Sequence, residues 1–405
     1  MSEYYFCHKI VVLPYNSTDV DSRNEIDKFD IEFSDKMKEI YGIKETILLK
    51  KNEFIEDKQL FFNSKLLISQ NSLSDTLKNL TNSKVLVIFV PGEYNLENEN
   101  IVVDSLKFIS VSDTEENLPK INISGNITIQ CRYFSAKGVG FICNKKQDDY
   151  FSKEHLTYAG IIFTKKSEYI LFSHCNLETQ YNVDLEALSY CGRIKIFDVK
   201  SGAEKVNIDN CSFNGCNFEL QSVNAATLNN NILKSTTICL RYTNSILYEN
   251  KFSGLFRINM FNAHLTQIND NIFDSFFDPY YCIDADHNSN LYFNNNKIKT
   301  TYDKFNEFTI IKVYRYSKCY VKHNNVTIKP TQMLASVEFG GEIYISDNMF
   351  NKNKVEVACH DGNVCIGKNN ICDEFSNDEN VFKEVEFVLS ERDIIKPDRK
   401  YISFQ

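Results

Sequence analysis

The sequence lacks the marks of most familiar activities. No apolar run is long enough to span a bilayer. No Cys-x-x-Cys occurs among its 13 cysteines, and its 7 histidines show no metal-ligand spacing. P-loop, dinucleotide fingerprint, calcium-loop and nucleophile-elbow motifs are missing too, so no cofactor or metal is expected. The net charge is -9, with no basic run or RNA-binding motif to offset it. That balance disfavours general binding to nucleic acid or to an anionic membrane. Residues Met1 to Lys9 lack the basic and apolar regions of a secretory signal. The cysteines are odd in number, and Cys211, Cys319 and Cys365 fall at core-like positions. They read as reduced thiols, so a cytoplasmic location is expected, with a virion or other non-classical location left open. The oligomeric state is also left open.

What is present is a repeat. Eight segments align without gaps: Asp209 to Phe213, Asn229 to Leu233, Tyr248 to Phe252, Asn269 to Phe273, Asn294 to Ile298, Lys322 to Val326, Ser346 to Phe350 and Gly367 to Ile371. The third column is Cys211, Asn231, Asn250, Asn271, Asn296, Asn324, Asn348 and Asn369. The fifth column runs from Phe213 to Ile371 and is apolar throughout, as is the position three before each third-column residue. Successive copies are 20, 19, 21, 25, 28, 24 and 21 residues apart. Short strands joined to fixed turns at such a period indicate a solenoid. Ile343 and Ile345 alternate with Tyr344 and Ser346 at strand period, and the phase shifts across Asn348, so a bend is expected there. Asn tolerates the left-handed region. Stacked at strand spacing, its amide can bond the next one in a ladder. An Asn-rich low-complexity tract would not keep two columns apolar. An α-solenoid lacks support from helical periodicity, and the Leu-x-x-Leu-x-Leu of leucine-rich repeats is missing.

With Val85 to Val90 followed by Pro91-Gly92-Glu93-Tyr94, the chain resembles right-handed parallel β-helices of the pectate-lyase-like superfamily. The resemblance covers residues 84–378 and implies an all-β solenoid. It implies no single activity, because this fold hosts lyases, hydrolases, tailspikes and non-catalytic binders. Residues 1–83 do not repeat. They read as a small α/β cap, with strands over 5–13 and 45–50 and helices over 31–41 and 72–80. Solenoids need such caps. Residues 145–156 and 178–189 read as loops, and Ser173 to Leu177 as a degenerate copy of the motif. Residues 379–405 read as a C-terminal cap or tail.

Polygalacturonases share this fold and carry Arg-Ile-Lys, found here as Arg193-Ile194-Lys195 with Asn182-Val183-Asp184 upstream. The Asp pair and Gly-His-Gly between those elements are missing, so the two carboxylates of glycoside hydrolysis are not supplied. Another candidate is the alternating stretch after each Asn bend. Its inward members are expected to be Phe218 and Leu220, Ile238 and Leu240, Phe256 and Ile258, Ile283 and Ala285, Ile311 and Val313, Val337 and Phe339, and Val355 and Val357. The outward set is then Glu219, Gln221, Arg241, Arg257, Asn259, Asp284, Asp286, Lys312, Tyr314, Glu338 and Glu356, a mixed-charge stripe. Asp284-Ala285-Asp286-His287 is its densest cluster. Two carboxylates on one face would separate into an acid and a base, and Arg257 could stabilise an anion. The expected function is a non-catalytic scaffold engaging a partner protein or glycan along this face. The alternative is a polysaccharide lyase or glycoside hydrolase, including a tailspike-type depolymerase, with Asp284, Asp286 and Arg257 as catalytic candidates.

Overall fold

The computed structural model describes residues 9–12, 65–67, 77, 84–89, 92–110, 118–143, 160–179, 197–254, 256–276, 281–299, 308–327, 332–351, 354–367, 369–372 and 374–376. The chain is an all-β parallel solenoid, and every paired strand described is parallel. It divides into two compact units, residues 1–181 with 194–203 and residues 182–193 with 204–405.

In the first unit each coil supplies three strands to three sheets. Lys84–Phe89 pairs with Ser105–Ser110, which pairs with Tyr133–Lys137, and that strand pairs with Ser167–Ser173. Glu93–Leu96, Lys120–Ile123, Gly140–Cys143 and Asn176–Thr179 form a second sheet, and Asn100–Val102, Asn126–Gln130, Gly160–Phe163 and Phe197–Val199 a third. Strand alternation turns one residue in two inward, and large aromatics fill the axis. Phe89, Phe108, Phe134 and Phe172 are buried in sequence, at centroid spacings of 5.3, 5.9 and 5.3 Å. Tyr94 of the Pro-Gly-Glu-Tyr stretch is buried edge-on against Phe89 at 5.1 Å. The expected cap is described at three places. Lys9–Val12 pairs with Lys84–Phe89 and with Lys65–Leu67, so these strands extend the first sheet. Leu77 is helical and buried. The elements expected at 31–41, 45–50, 145–156 and 381–405, and the tripeptides beginning at Asn182 and Arg193, lie outside the described residues.

In the second unit the first sheet runs through Val223–Asn229, Ser245–Tyr248, Thr266–Asn269, Asn290–Asn294, Lys318–Lys322, Gly341–Ser346 and Gly362–Ile366. The second holds Ser212–Asn214, Ile232–Lys234, Lys251–Gly254, Ile272–Phe276, Lys297–Lys299, Asn325–Thr327 and Met349–Phe350. The third holds Asn217–Gln221, Thr237–Arg241, Arg257–Phe261, Tyr281–Asp286, Phe308–Tyr314, Gln332–Glu338 and Lys354–Cys359.

The bend between the first two sheets holds a buried amide ladder. Asn231 Nδ2 donates to Asn250 Oδ1 at 2.9 Å, and the same bond joins Asn250 to Asn271, Asn271 to Asn296, Asn296 to Asn324 and Asn324 to Asn348. Each Oδ1 also accepts from the backbone N–H of the preceding rung, beginning with Cys211 at 2.8 Å. Each Nδ2 donates a second bond to an apolar residue's carbonyl one coil back: Ile208, Leu228, Leu247, Ile268, Phe293 and Val321. Every amide donor and acceptor is thereby satisfied, which is the condition for a stable buried polar network.

Two details differ from the sequence reading. The left-handed residue is the one before each ladder position: Asn210, Asn230, Glu249, Asp270, Asn295, His323, Asp347 and Asn369 all have φ from 50° to 64°. Most are Asn or Asp, the residues that adopt this region at least cost. The final rung is Asn370, which accepts from Asn348 at 3.1 Å, while Asn369 donates outward to Asp347 at 2.9 Å. One extra residue in the last copy moves its register, so Ile371, expected inside, is exposed.

A shorter ladder, not foreseen, lines the bend from third sheet to first. Thr243 Oγ1 accepts from Val223 N and donates to Leu220 O. Ser289 Oγ accepts from Ala263 N at 3.0 Å and donates to Asp286 O, and Ser317 Oγ accepts from Ser289 N at 3.1 Å. All three hydroxyl residues are fully buried.

Candidate functional site

The third sheet of the second unit carries the residues singled out from sequence. Its inward columns are Phe218, Ile238, Ile258, Ile283, Ile311 and Ala335, and beside them Leu220, Leu240, Met260, Ala285, Val313 and Val337. Phe256 is buried but precedes its strand. Phe339, expected inside, is exposed, because the strand ends at Glu338 and Phe339 takes a left-handed turn with φ of 50°.

Two outward columns follow from this register. One stacks Glu219, Cys239, Asn259, Asp284, Lys312 and Ser336; the other stacks Gln221, Arg241, Phe261 and Asp286, with Tyr314 over Glu338 in the later coils. Neighbours along a column are about 4.8 Å apart. Charges on this face meet opposite charges on the same or an adjacent coil. Arg241 Nε lies 2.6 Å from Glu219 Oε1. Arg257 reaches Asp284 at 3.5 Å and donates to Asn259 Oδ1 at 2.7 Å. Lys312 Nζ is 3.5 Å from Glu338, which also accepts from Ser336 Oγ at 2.9 Å.

Asp284 and Asp286 share the face, as their alternation requires, but answer to different cations. Asp284 is largely covered, and burial holds its carboxyl above the usual range against the opposing pull of Arg257. Asp286 faces His287 and Arg315. His287 Nδ1 lies 2.9 Å from Asp286 Oδ2, and Arg315 Nη1 lies 3.5 Å from that oxygen and 3.0 Å from His287 Nε2. Arg315 Nη1 also lies 3.3 Å from His287 Nδ1, so the guanidinium sits over the imidazole while Nδ1 faces Asp286. The His287 ring packs on Phe261 at 4.1 Å.

Residues outside the predicted set extend this chain of contacts along the bend. Arg241 lies over the Phe261 ring at 5.6 Å, and Arg315 over Tyr314 at 4.4 Å. Tyr314 meets Phe339 edge-on at 4.8 Å. Tyr242 and Tyr316 are exposed beside them. Phe261 was legible by continuing the alternation from Arg257 and Asn259. Tyr242, Arg315, Tyr316 and Phe339 sit past strand ends, where alternation no longer assigns a side.

Among the described residues no group of three or more His, Cys, Asp or Glu side chains is placed to hold a metal ion. No protein-family model and no curated protein matches this chain.

Proposed function

We propose that the chain is a right-handed β-helix of the pectate-lyase-like kind that works as a non-catalytic scaffold, engaging a partner protein or a glycan along the third sheet of its second unit. The observation that carries this reading is the pairing of charge across the face: Glu219, Asp284, Asp286 and Glu338 each lie within 4.0 Å of a cation. A surface so compensated is pre-organised for recognition. The groups of an acid and a base are instead tied to separate partners. The test is a screen of purified protein against acidic and neutral polysaccharides, reading reducing ends and unsaturated products. The scaffold reading expects no turnover, with Asp284→Asn/Asp286→Asn folded.

One observation favours an enzyme instead. Asp284 is held in its protonated form to higher pH than an ordinary carboxyl, two residues from Asp286 on the same face. An acid and a base on one face are what a glycosidase or lyase uses. Turnover in that screen, lost by roughly 10²-fold or more in the double variant, establishes the enzyme and ends the scaffold reading.

A further inference from the structure

Between Arg241 and Arg315 the outermost charge along this bend is positive, although the face is compensated overall and an exposed carboxylate, Asp361, follows on the coil beyond Phe339. Side chains of Arg241 and Arg315 are 43% and 45% exposed, while the carboxylates they meet, Glu219 and Asp286, are 8% and 22% exposed. Guanidinium groups therefore stand above a layer of carboxylates. Between and beside them are aromatic rings: Tyr242, Phe261, Tyr316 and Phe339, with Tyr316 71% and Phe339 54% exposed. A Cβ at Gly340 would lie 2.8 Å from Cδ1 and Cε1 of Tyr316, so one edge of that ring packs closely on the glycine of the next coil. Arg and Tyr are the side chains that dominate protein–protein hot spots. Exposed rings set beside exposed guanidinium groups are a surface that a partner can cover.

We infer that this bend is the docking strip for an extended acidic segment of a partner protein. The inference rests on the proposal that the third sheet carries the binding face, and it names both the anchor and the chemistry of the partner. Arg241 and Arg315 are three coils apart, about 14 Å at strand spacing. An extended peptide covers that span in about four residues. The segment therefore carries two carboxylates four residues apart. An apolar side chain midway rests on the Phe261–His287 pair.

The experiment uses the full chain and an array of capped nine-residue peptides. Each has Glu at its third and seventh positions, a varied fifth position, and Ser or Gly elsewhere. A second array carries Lys in place of Glu, and heparin serves as a plain polyanion. Binding is expected for the Glu peptides with Leu or Phe at the centre, weakening as salt rises. Arg241→Ala and Arg315→Ala should each weaken it roughly tenfold, the loss of a charge-assisted hydrogen bond. Tyr316→Ala should weaken it as well. Melting curves confirm folding, and Arg241→Lys and Arg315→Lys keep the charge while removing the fork. The inference is overturned if no Glu peptide binds, if the Lys array binds as well, or if heparin matches the peptides without need of Tyr316. If binding survives the strip variants but is lost in Lys312→Ala and Asn259→Ala, the inference fails while the third-sheet proposal stands. If neither set of variants matters, both fail.

Discussion

The amide ladder makes single side chains unusually consequential. Replacing Asn296 by Ala takes the side-chain acceptor from the backbone N–H of Asn271 and the side-chain donor from the carbonyl of Ile268, both in a buried bend. Each stranded group costs about 1–3 kcal/mol, so Asn296→Ala should lose ~3 kcal/mol or more in urea unfolding. The final rung offers a sharper comparison. Asn370→Ala should cost about 1–3 kcal/mol, whereas Asn369→Gly should be neutral or stabilising, because Asn369 is exposed with φ of 64°. Equal effects at the two positions would refute the shifted register. Asp284 provides a pH test. A carboxyl whose folded pKa is raised binds its proton more tightly in the folded state, so its contribution to stability falls as pH rises from the ordinary carboxylate range through the raised value. Asp284→Asn should therefore be stabilising relative to the native chain at neutral pH. That gain should vanish as the pH falls below the ordinary carboxylate range. Thiols shift the same way from the same cause: burial pushes Cys131 and Cys143 up to about 12, and Cys319 higher still. Mass spectrometry after brief iodoacetamide treatment at neutral pH should find these three unmodified until the protein is unfolded, since the thiolate is the nucleophile.

At the scale of one coil, three strands and three bends bury a layer of apolar side chains, and each layer leans on the next. Phe273 is the clearest case. Its ring stacks on Phe252 at 4.7 Å, lies 5.2 Å from Phe256 and 5.7 Å from Phe293, and its strand neighbour on the other side is Ile298. Truncation to Ala removes the contacts of a fully buried ring and leaves a cavity bounded by paired strands that cannot collapse far. Phe273→Ala should cost about 3–5 kcal/mol. A near-native melting curve would show that the ring is not the buried link it is taken to be. The hydroxyl ladder of Thr243, Ser289 and Ser317 was harder to see than the Asn row. Its column also contains Val223, Ala263 and Gly341, residues with no common chemistry except small or compact size. The Asn column repeats one side chain because each amide must both give to and take from its like. The hydroxyl column needs only an acceptor for a backbone N–H, and several coils do without one.

At the scale of the molecule, solenoid coils couple to their neighbours and not to distant ones. Hydrogen exchange on Phe273→Ala should show amide protection falling most in strands 245–299 and least in strands 341–366 of the same unit. Uniform loss across the unit would instead mean all-or-none unfolding. Periodicity by itself determined the solenoid: apolar columns, a recurrent Asn and steps of 19–28 residues leave few other folds able to bury every copy. It also placed Asp284 and Asp286 on one face, since alternation along a strand is local geometry. Only the tertiary structure decided that Arg257 and Arg315 meet those carboxylates, because they lie 27 and 29 residues away and bend lengths vary from coil to coil. It alone put Arg315 against His287 and Phe339 against Tyr314, where strand alternation has ended and left-handed turns aim the side chains. It alone chose Asn370 over Asn369, because one inserted residue leaves the composition of the motif intact but moves its register, and hydrogen bonds to the coil below are what fix that register.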